Sequence, residues 1–585
     1  MPTGFDETVD LLVVGAGAGG MTAALAGALH GLRVLLCEKT EMVGGITATS
    51  AGTLWIPGSS QSLRAGVPDS VEEARRYLAA IAGTEWPDDR RDSFLATGPA
   101  MLDALEARTP LRFIAAKEHP DYLGQYPGAA FGGCALGPPP FDGRRLGADF
   151  ARIRPPRADF MVLGGMMVAK SDVAPLVRPF ASMAAFRHAA GLLLRHGMDR
   201  LRHRRGTRLV MGNALVAWLF HALRERKVPI RFGSSLTELI ANAGRVAGAV
   251  VRTGDGNRRI AATRGVVLAT GGIGWNKALR ERLLPAAGRA LSLAPEGNTG
   301  DGLDAALRIG GSLDEHHASP AFWMPCSILR RADVTSSVFP HIVLDRAKPG
   351  LLAVDAAGRR FVNEADSYHD FVQGMLRDDK ATPAYLICDR AFIREHGIGL
   401  VHPGTRDLRP FLKAGYLIQG DTPAALARAA GIEAAGLEAS VAAYGRFATT
   451  GVDEDFGRGS SVLNRFNGDP GTTPNPCLRP LGPGPYFAVE VWPADLASSV
   501  GLRTDGDARV LDGQGRALEG LYACGNDMAS VMRGHYPGPG TTIGPAMVFA
   551  WRAVQHASGS ARDGSGHPGG SPELMNGPTH RPEKL

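Results

Sequence analysis

The stretch VDLLVVGAGAGGMTAALAGALHGLRVLLCEK, Val9 to Lys39, decides the fold. Val9 to Val14 reads as a buried strand, the Ala-rich run after the glycines as a helix, and RVLLCEK as a second strand. Strand, Gly-rich turn, helix and strand within about 30 residues make a dinucleotide-binding unit. Gly15 permits the tight turn, Gly17 lets the backbone approach a pyrophosphate, and Gly20 lets helix and strand pack closely. The helix amino terminus offers N–H groups and partial positive charge to the phosphates. Glu38 closes the second strand, where a carboxylate bonds a ribose hydroxyl.

Directly after comes KTEMVGGITATSAGTLWIPG, Lys39 to Gly58. Lys39, Gly44, Gly45, Thr47, Ser50 and Gly52 belong to a small-residue segment that can pass under a flat ring system. VVLATGGIGWN (Val266 to Asn276), NTGDGLDAALRIG (Asn298 to Gly310) and GLYACGNDMAS (Gly520 to Ser530) follow in order. Together these stretches resemble the flavoprotein superfamily of succinate dehydrogenase and fumarate reductase. The resemblance implies FAD and adds Ala269, Thr270, Gly271, Asn298, Asp301, Gly525, Asn526, Thr541 and Ile543 as cofactor contacts. No His lies in the amino-terminal Gly-rich segment, where covalently flavinylated members carry one, so non-covalent FAD is expected.

The fold class expected is α/β: a Rossmann-like FAD-binding domain of the fumarate-reductase type with an inserted α+β substrate-capping domain. Residues 1–320 hold the first part of the FAD domain, interrupted by a basic amphipathic insertion at about 150–210. Residues 321–490 form the capping domain and 491–556 return to the FAD domain. Residues 557–585, rich in Gly, Ser and Pro, are expected to be disordered.

The chemistry depends on RGHYPGPGTTIGPAM, Arg533 to Met547. Dicarboxylate reductases of the superfamily carry Arg-Gly-Gly-Asn in this loop, and that pattern is absent. The Tyr-Pro-Gly-x-Gly pattern resembles instead the 3-ketosteroid Δ1-dehydrogenases. PAFWMP (Pro320 to Pro325), GRRFVNEADSYHDF (Gly358 to Phe371) and HPDYLGQYPGA (His119 to Ala129) resemble further stretches of that group. The resemblance implies that Tyr536 O–H and Gly540 N–H polarise a 3-keto oxygen, as an oxyanion hole does. Tyr368 would then take the C2 proton, Tyr122 would support it, and the C1 hydride would pass to the flavin. Tyr126 is the alternative to Tyr122 if the register differs. Arg533 is a secondary candidate, His535 reads as a structural histidine, and Trp323 and Met324 as pocket wall or core.

Six scattered cysteines with no CxxC pair argue against a zinc or iron–sulfur site, and no metal is expected. The amino terminus has no basic region ahead of its apolar run, so no signal peptide is read. Net charge is +6, yet Arg178 to Arg208 holds eight arginines against one acid, Asp199, so the basic character is local. No nucleic-acid module accompanies it, and no nucleic-acid partner is expected. In the same segment Leu194, Met198 and Leu201 make an apolar stripe beside a polar stripe of Arg195, Asp199 and Arg202. A basic amphipathic helix suits an anionic membrane surface, so peripheral membrane contact through about 160–208 is expected. The insertion resembles that of the cholest-4-en-3-one Δ1-dehydrogenases, which implies a sterol with its side chain. The partners expected are a steroid and an external electron acceptor, a quinone or similar. The location expected is cytoplasmic, peripheral on the inner face of the cytoplasmic membrane; the oligomeric state stays open. Two rivals remain. One is another flavoenzyme on this scaffold, a Δ4-(5α)-dehydrogenase or an enoate reductase. The other is a membrane-docked electron-transfer flavoprotein.

Overall fold

The structure, a computed structural model, describes residues 4–83, 89–158, 161–242, 244–330, 336–342 and 345–559. Glu7–Val14 lies inside an eight-stranded sheet. It pairs in parallel with Val34–Cys37 on one side and with Gly256–Leu268 on the other. Ala517–Ala523, from the far end of the chain, adds in parallel beside Val266 to Leu268. The register aligns Val14 with Cys37 and Leu268, and Leu268 with Ala523. Gly15, Glu38, Ala269 and Cys524 therefore emerge along one edge. In an open parallel sheet that carboxyl edge is where ligands bind.

The glycines of the first turn do different jobs. Gly15 has φ +101°, which a side chain rarely adopts. A Cβ on Gly20 would lie 1.7 Å from the Gly15 carbonyl oxygen, so only glycine lets the helix Ala18–Leu29 start this close to its strand. A Cβ on Gly17 would meet nothing within 4 Å; this position faces open space. The helix packs in turn on the last helix, Ile543–Ser558.

A second, six-stranded sheet builds the cap from Ala321–Arg330, Ser336–Pro340, Leu351–Val354, Ala384–Asp389, Ile418–Gly420 and Tyr486–Ser498. The boundary expected at 490 falls inside Tyr486–Ser498. That strand bonds both Ala321–Arg330 and Ala384–Asp389, so the cap keeps it to Ser498.

The GRRFVNE stretch is structural. Glu364 is fully buried and receives Arg360 at 2.9 Å, Arg458 at 3.0 Å and the Ala353 N–H at 3.0 Å. Arg360 also reaches Asp453 at 2.8 Å, and Arg458 caps the Leu351 carbonyl. This ion network ties the loop before Tyr368 to the cap sheet. Tyr368 then takes the first position of the helix Tyr368–Met375, whose amino end Ser367 caps through the Asp370 N–H.

In the insertion, the helix expected from about Pro179 starts at Met183, where Ser182 accepts the Ala185 N–H. Its amphipathicity is inverted. Leu194, Met198 and Leu201 point to solvent, while His196 and Asp199 are buried. Asp199 accepts from the Thr207 N–H at 2.7 Å and the Thr207 hydroxyl at 2.8 Å, which closes the loop after the helix. The polar face packs inward because it carries these bonds. The last helix runs to Ser558, past the boundary expected at 556. The tail from 560 onward lies outside the described residues. All six cysteines are buried and unpaired with one another. No helix among the described residues is long and apolar enough to cross a membrane.

Candidate active site

The carboxyl edge of the parallel sheet and the inner face of the cap enclose one continuous cavity of about 510 Å³. At the sheet end it is bordered by Gly15, Gly17, Glu38, Lys39, Gly45, Thr47, Ser50 and Gly52. Ala269, Thr270, Gly271, Asn298, Asp301, Gly525, Asn526 and Ile543 complete that end. Three expected cofactor residues lie elsewhere. Gly20 is spent on helix–strand packing. Gly44 has φ +119° and its missing Cβ makes room for Ala48 and Val216. Thr541 is buried behind the loop, on a separate small cavity.

The donors at this end fit a dinucleotide. The open side of Gly17 and the amino end of Ala18–Leu29 face the cavity, as a pyrophosphate requires. Glu38 stands at the rim with its oxygens ordered by the Ala16 and Thr40 N–H groups at 2.9 Å each. Lys39 is paired to Asp301 at 2.9 Å and joins two of the contact segments. Asp527, which sequence reasoning missed, locks the closing turn. It accepts the Thr270 N–H at 2.6 Å and the Gly272 N–H at 2.8 Å from full burial. Its place beside the expected contact Asn526 was the available signal.

At the cap end three phenols converge. Ring centroids of Tyr368 and Tyr536 lie 5.2 Å apart, Tyr122 and Tyr368 5.7 Å, and Tyr122 and Tyr536 5.8 Å. The Tyr368 hydroxyl is hydrogen-bonded with both others. Tyr126, the alternative to Tyr122, is outside the cavity and exposed. Gly540 joins the phenols on the cavity wall. Among the described residues no protein acceptor takes its N–H, while its carbonyl accepts from the Trp55 and Gly544 N–H groups. The lack of a side chain at Gly540 serves the scaffold rather than the ligand: φ is +95° and a Cβ would lie 2.6 Å from the Leu54 carbonyl carbon.

Burial raises the pKa of all three phenols. For Tyr536 that favours a neutral O–H donor. For Tyr368 it works against a phenolate. The helix amino terminus under Tyr368 opposes that cost, whereas the hydrogen bonds to Tyr122 and Tyr536 add to it. The charge of the buried Arg346 lowers the Tyr122 pKa.

The loop 536–540 is held from below. The Pro537 carbonyl accepts from the Tyr122 N–H and the Tyr77 hydroxyl, each at 2.7 Å. Asp121 accepts from the Trp55 indole at 2.8 Å and the Ala130 N–H at 3.0 Å, and full burial pushes its pKa up to about 7. Two more neighbours escaped sequence reasoning. Phe322 meets Tyr536 edge-on at 5.3 Å, and His369 stacks on it at 5.8 Å while accepting the Trp323 N–H. Met324 lines the cavity, whereas Trp323 is core. Arg533 lies outside the cavity and pairs with Asp314 at 2.9 Å, and His535 also lies outside it. Cys524 is buried and touches the cavity.

The FAD binding domain family matches over residues 10–543. The chain is 38% identical to the 4-oxocyclohex-2-ene-1-carboxylate 5-dehydrogenase of Sinomonas cyclohexanicum, over 93% of this chain and 92% of the other. It is 36% identical to the 3-oxosteroid 1-dehydrogenase of Mycobacterium tuberculosis, over 95% and 99%. The crystal structure of the 3-ketosteroid Δ1-dehydrogenase of Sterolibacterium denitrificans in complex with 1,4-androstadiene-3,17-dione superposes with a TM-score of 0.87. Its identity is 37%, over 95% of this chain and 100% of that one. A dinucleotide crevice opening onto three phenols and a free glycine N–H, found alongside these likenesses, places the chain in the FAD-binding family that includes the 3-oxosteroid 1-dehydrogenases.

Proposed function

We propose that this protein removes the C1 and C2 hydrogens of a 3-ketosteroid, with FAD as its cofactor. The observation that carries the reading is the meeting of Tyr536, Tyr368, Tyr122 and Gly540 at one end of an apolar cavity whose other end takes the dinucleotide. Tyr536 O–H and Gly540 N–H bind the ketone oxygen and strengthen their hold as enolate charge develops. That makes the C2 proton acidic enough for Tyr368 to take. Bound FAD supplies the acceptor for the hydride that leaves C1. Tyr122 orients Tyr368, and Phe322, Met324 and the cap strands keep the reacting carbons away from water. Pro537 and Pro539 hold the two carbonyl donors in place before the ketone arrives.

The test is anaerobic mixing of the flavin-loaded protein with androst-4-ene-3,17-dione. Flavin bleaching with formation of the 1,4-diene is expected; an unbleached flavin refutes the reading. A second substrate class draws support from the relative that acts on an oxocyclohexene carboxylate. Arg157 and Lys170 line the cavity and could meet a carboxylate. The same chemistry on a small keto acid would then bleach the flavin where the steroid does not.

The reading extends to location and partners. The enzyme is cytoplasmic and peripheral on the inner membrane face, takes a sterol that keeps its side chain, and delivers electrons to a quinone or similar acceptor. The inverted helix Met183–Arg200 and its approach support this, with Phe180 87% and Leu201 84% exposed amid the local arginines. Met167 and Lys170, from the same insertion, border the cavity. A substrate leaving the bilayer there would have a short path to the phenols.

A further inference from the structure

Tyr368 sits at 7% exposure and must shed a proton after every turnover, because no dehydrogenation can recur while the base stays protonated. The large cavity is apolar and filled by ligand during reaction, so the proton needs another way out. Behind the phenols lies another small cavity of about 10 Å³, room for a single water. Tyr122 and Tyr368 border it on the side of the active site. Arg346, Asp366 and Asn467 border it as well, so a water there has the polar partners it needs.

Asp366 is the more exposed of the two carboxylates on this wall. It is only half-buried, whereas Glu364, also on the wall, is fully buried and saturated by two arginines. Asn464 donates to Asp366 Oδ1 at 2.9 Å. Among the described residues no side chain is recorded on Oδ2. The Arg346 guanidinium spends its donors on the carbonyls of His341, Ile342, Glu364 and Asp366, which fixes the walls and leaves it no acidic proton to give. Burial raises the Asp366 pKa above the ordinary carboxylate value, which brings it nearer to that of a group that can hold a proton in passing.

We propose that Asp366, through one water in this cavity and the Tyr122 hydroxyl, carries the substrate proton from Tyr368 to solvent. The inference rests on the dehydrogenase reading above. The C2–H bond breaks as an O–H bond forms at Tyr368. Tyr368 then passes its proton to Tyr122 as Tyr122 passes its own to the water. The water protonates Asp366, which releases the proton to bulk. One proton leaves per turnover and no electrons move along the route. Asp366 touches neither substrate nor cofactor and is a relay residue, not a catalytic one.

The experiment compares flavin-loaded wild type, Asp366→Asn and Asp366→Glu with androst-4-ene-3,17-dione and a saturating artificial acceptor. The enzymes start from buffer alkaline enough for the base to be ionised. In Asp366→Asn the first turnover, read as stopped-flow flavin bleaching, should keep the wild-type rate. Later turnovers should slow by about a hundredfold, the low end of what a positioned proton-transfer group contributes. Product then appears as a burst equal to the flavin concentration followed by a slow phase, with a larger solvent deuterium isotope effect on the slow phase alone. Asp366→Glu should restore the slow phase. Wild-type steady-state turnover in Asp366→Asn overturns the relay. So does a loss that falls equally on the first and later turnovers, which is what a structural role gives. Failure of wild type to bleach at all would refute the dehydrogenase reading instead, so the two failures are separable.

Discussion

At the scale of the residue, one physical fact governs the site: burial raises the pKa of every phenol in it. The same shift that keeps Tyr536 a proton donor makes Tyr368 a reluctant base. Two outcomes follow for measurement. Tyr536→Phe should cut kcat about a hundredfold to a thousandfold, the loss of one oxyanion donor; a variant within threefold of wild type would remove Tyr536 from the mechanism. The pH dependence has a definite sign. In the proposed mechanism the active form is the Tyr368 phenolate, and burial holds the Tyr368 pKa above the usual phenol value. The fraction ionised, and with it kcat/KM, should therefore rise about tenfold per pH unit from neutral pH into the alkaline range. A rate that falls across this range would exclude a phenolate base. The choice between Tyr122 and Tyr126 stayed open in the sequence; of the two, Tyr122 alone lines the cavity. Tyr368 was legible there because its neighbouring motif gave its register. Asp527, Phe322 and His369 were not, since their roles depend on partners distant in the chain.

At the scale of the element, the catalytic loop and the Tyr368 helix owe their positions to buried polar contacts. Gly540 is wedged against the strand Leu54–Trp55 at a φ that side chains avoid. Gly540→Ala should displace the N–H donor and lower kcat at least a hundredfold, with flavin content unchanged because no cofactor contact moves. Loss of flavin in step with activity would contradict that division of labour. The GRRFVNE stretch makes the converse point. It matches the family by resemblance, and its Arg360 and Glu364 do not line the large cavity; they anchor the turn that presents Tyr368. Glu364→Ala strips the carboxylate from the buried Arg458 and leaves Arg360 to Asp453, and should cost about 3–5 kcal/mol of stability, read by denaturant unfolding. Such variants should lose activity through Tyr368 misplacement even where they still fold.

At the scale of the whole molecule, the insertion breaks the usual rule that a helix hides its apolar face. Its polar face is committed to bonds within the insertion, Asp199 with Thr207 and His196 with the Leu163 carbonyl, so the leucines and Met198 are left outside. Replacing Phe180, Leu194 and Leu201 by serine should abolish co-sedimentation with anionic liposomes while leaving turnover of a small soluble androstenedione intact. Equal liposome binding by the variant would dismiss the membrane face. The sequence by itself determined the parallel sheet and the cofactor edge and pointed to Tyr536 and Tyr368, because strand–turn–helix chemistry is local and each motif carries its own spacing. It also contained the amphipathic pattern of the insertion but not which face turns inward. Only the tertiary structure decided that, together with the continuity of one cavity from sheet to cap and the small cavity beside Asp366. Those features arise where segments far apart in the chain compete for the same buried space and the same hydrogen-bond partners, and no local pattern records the winner.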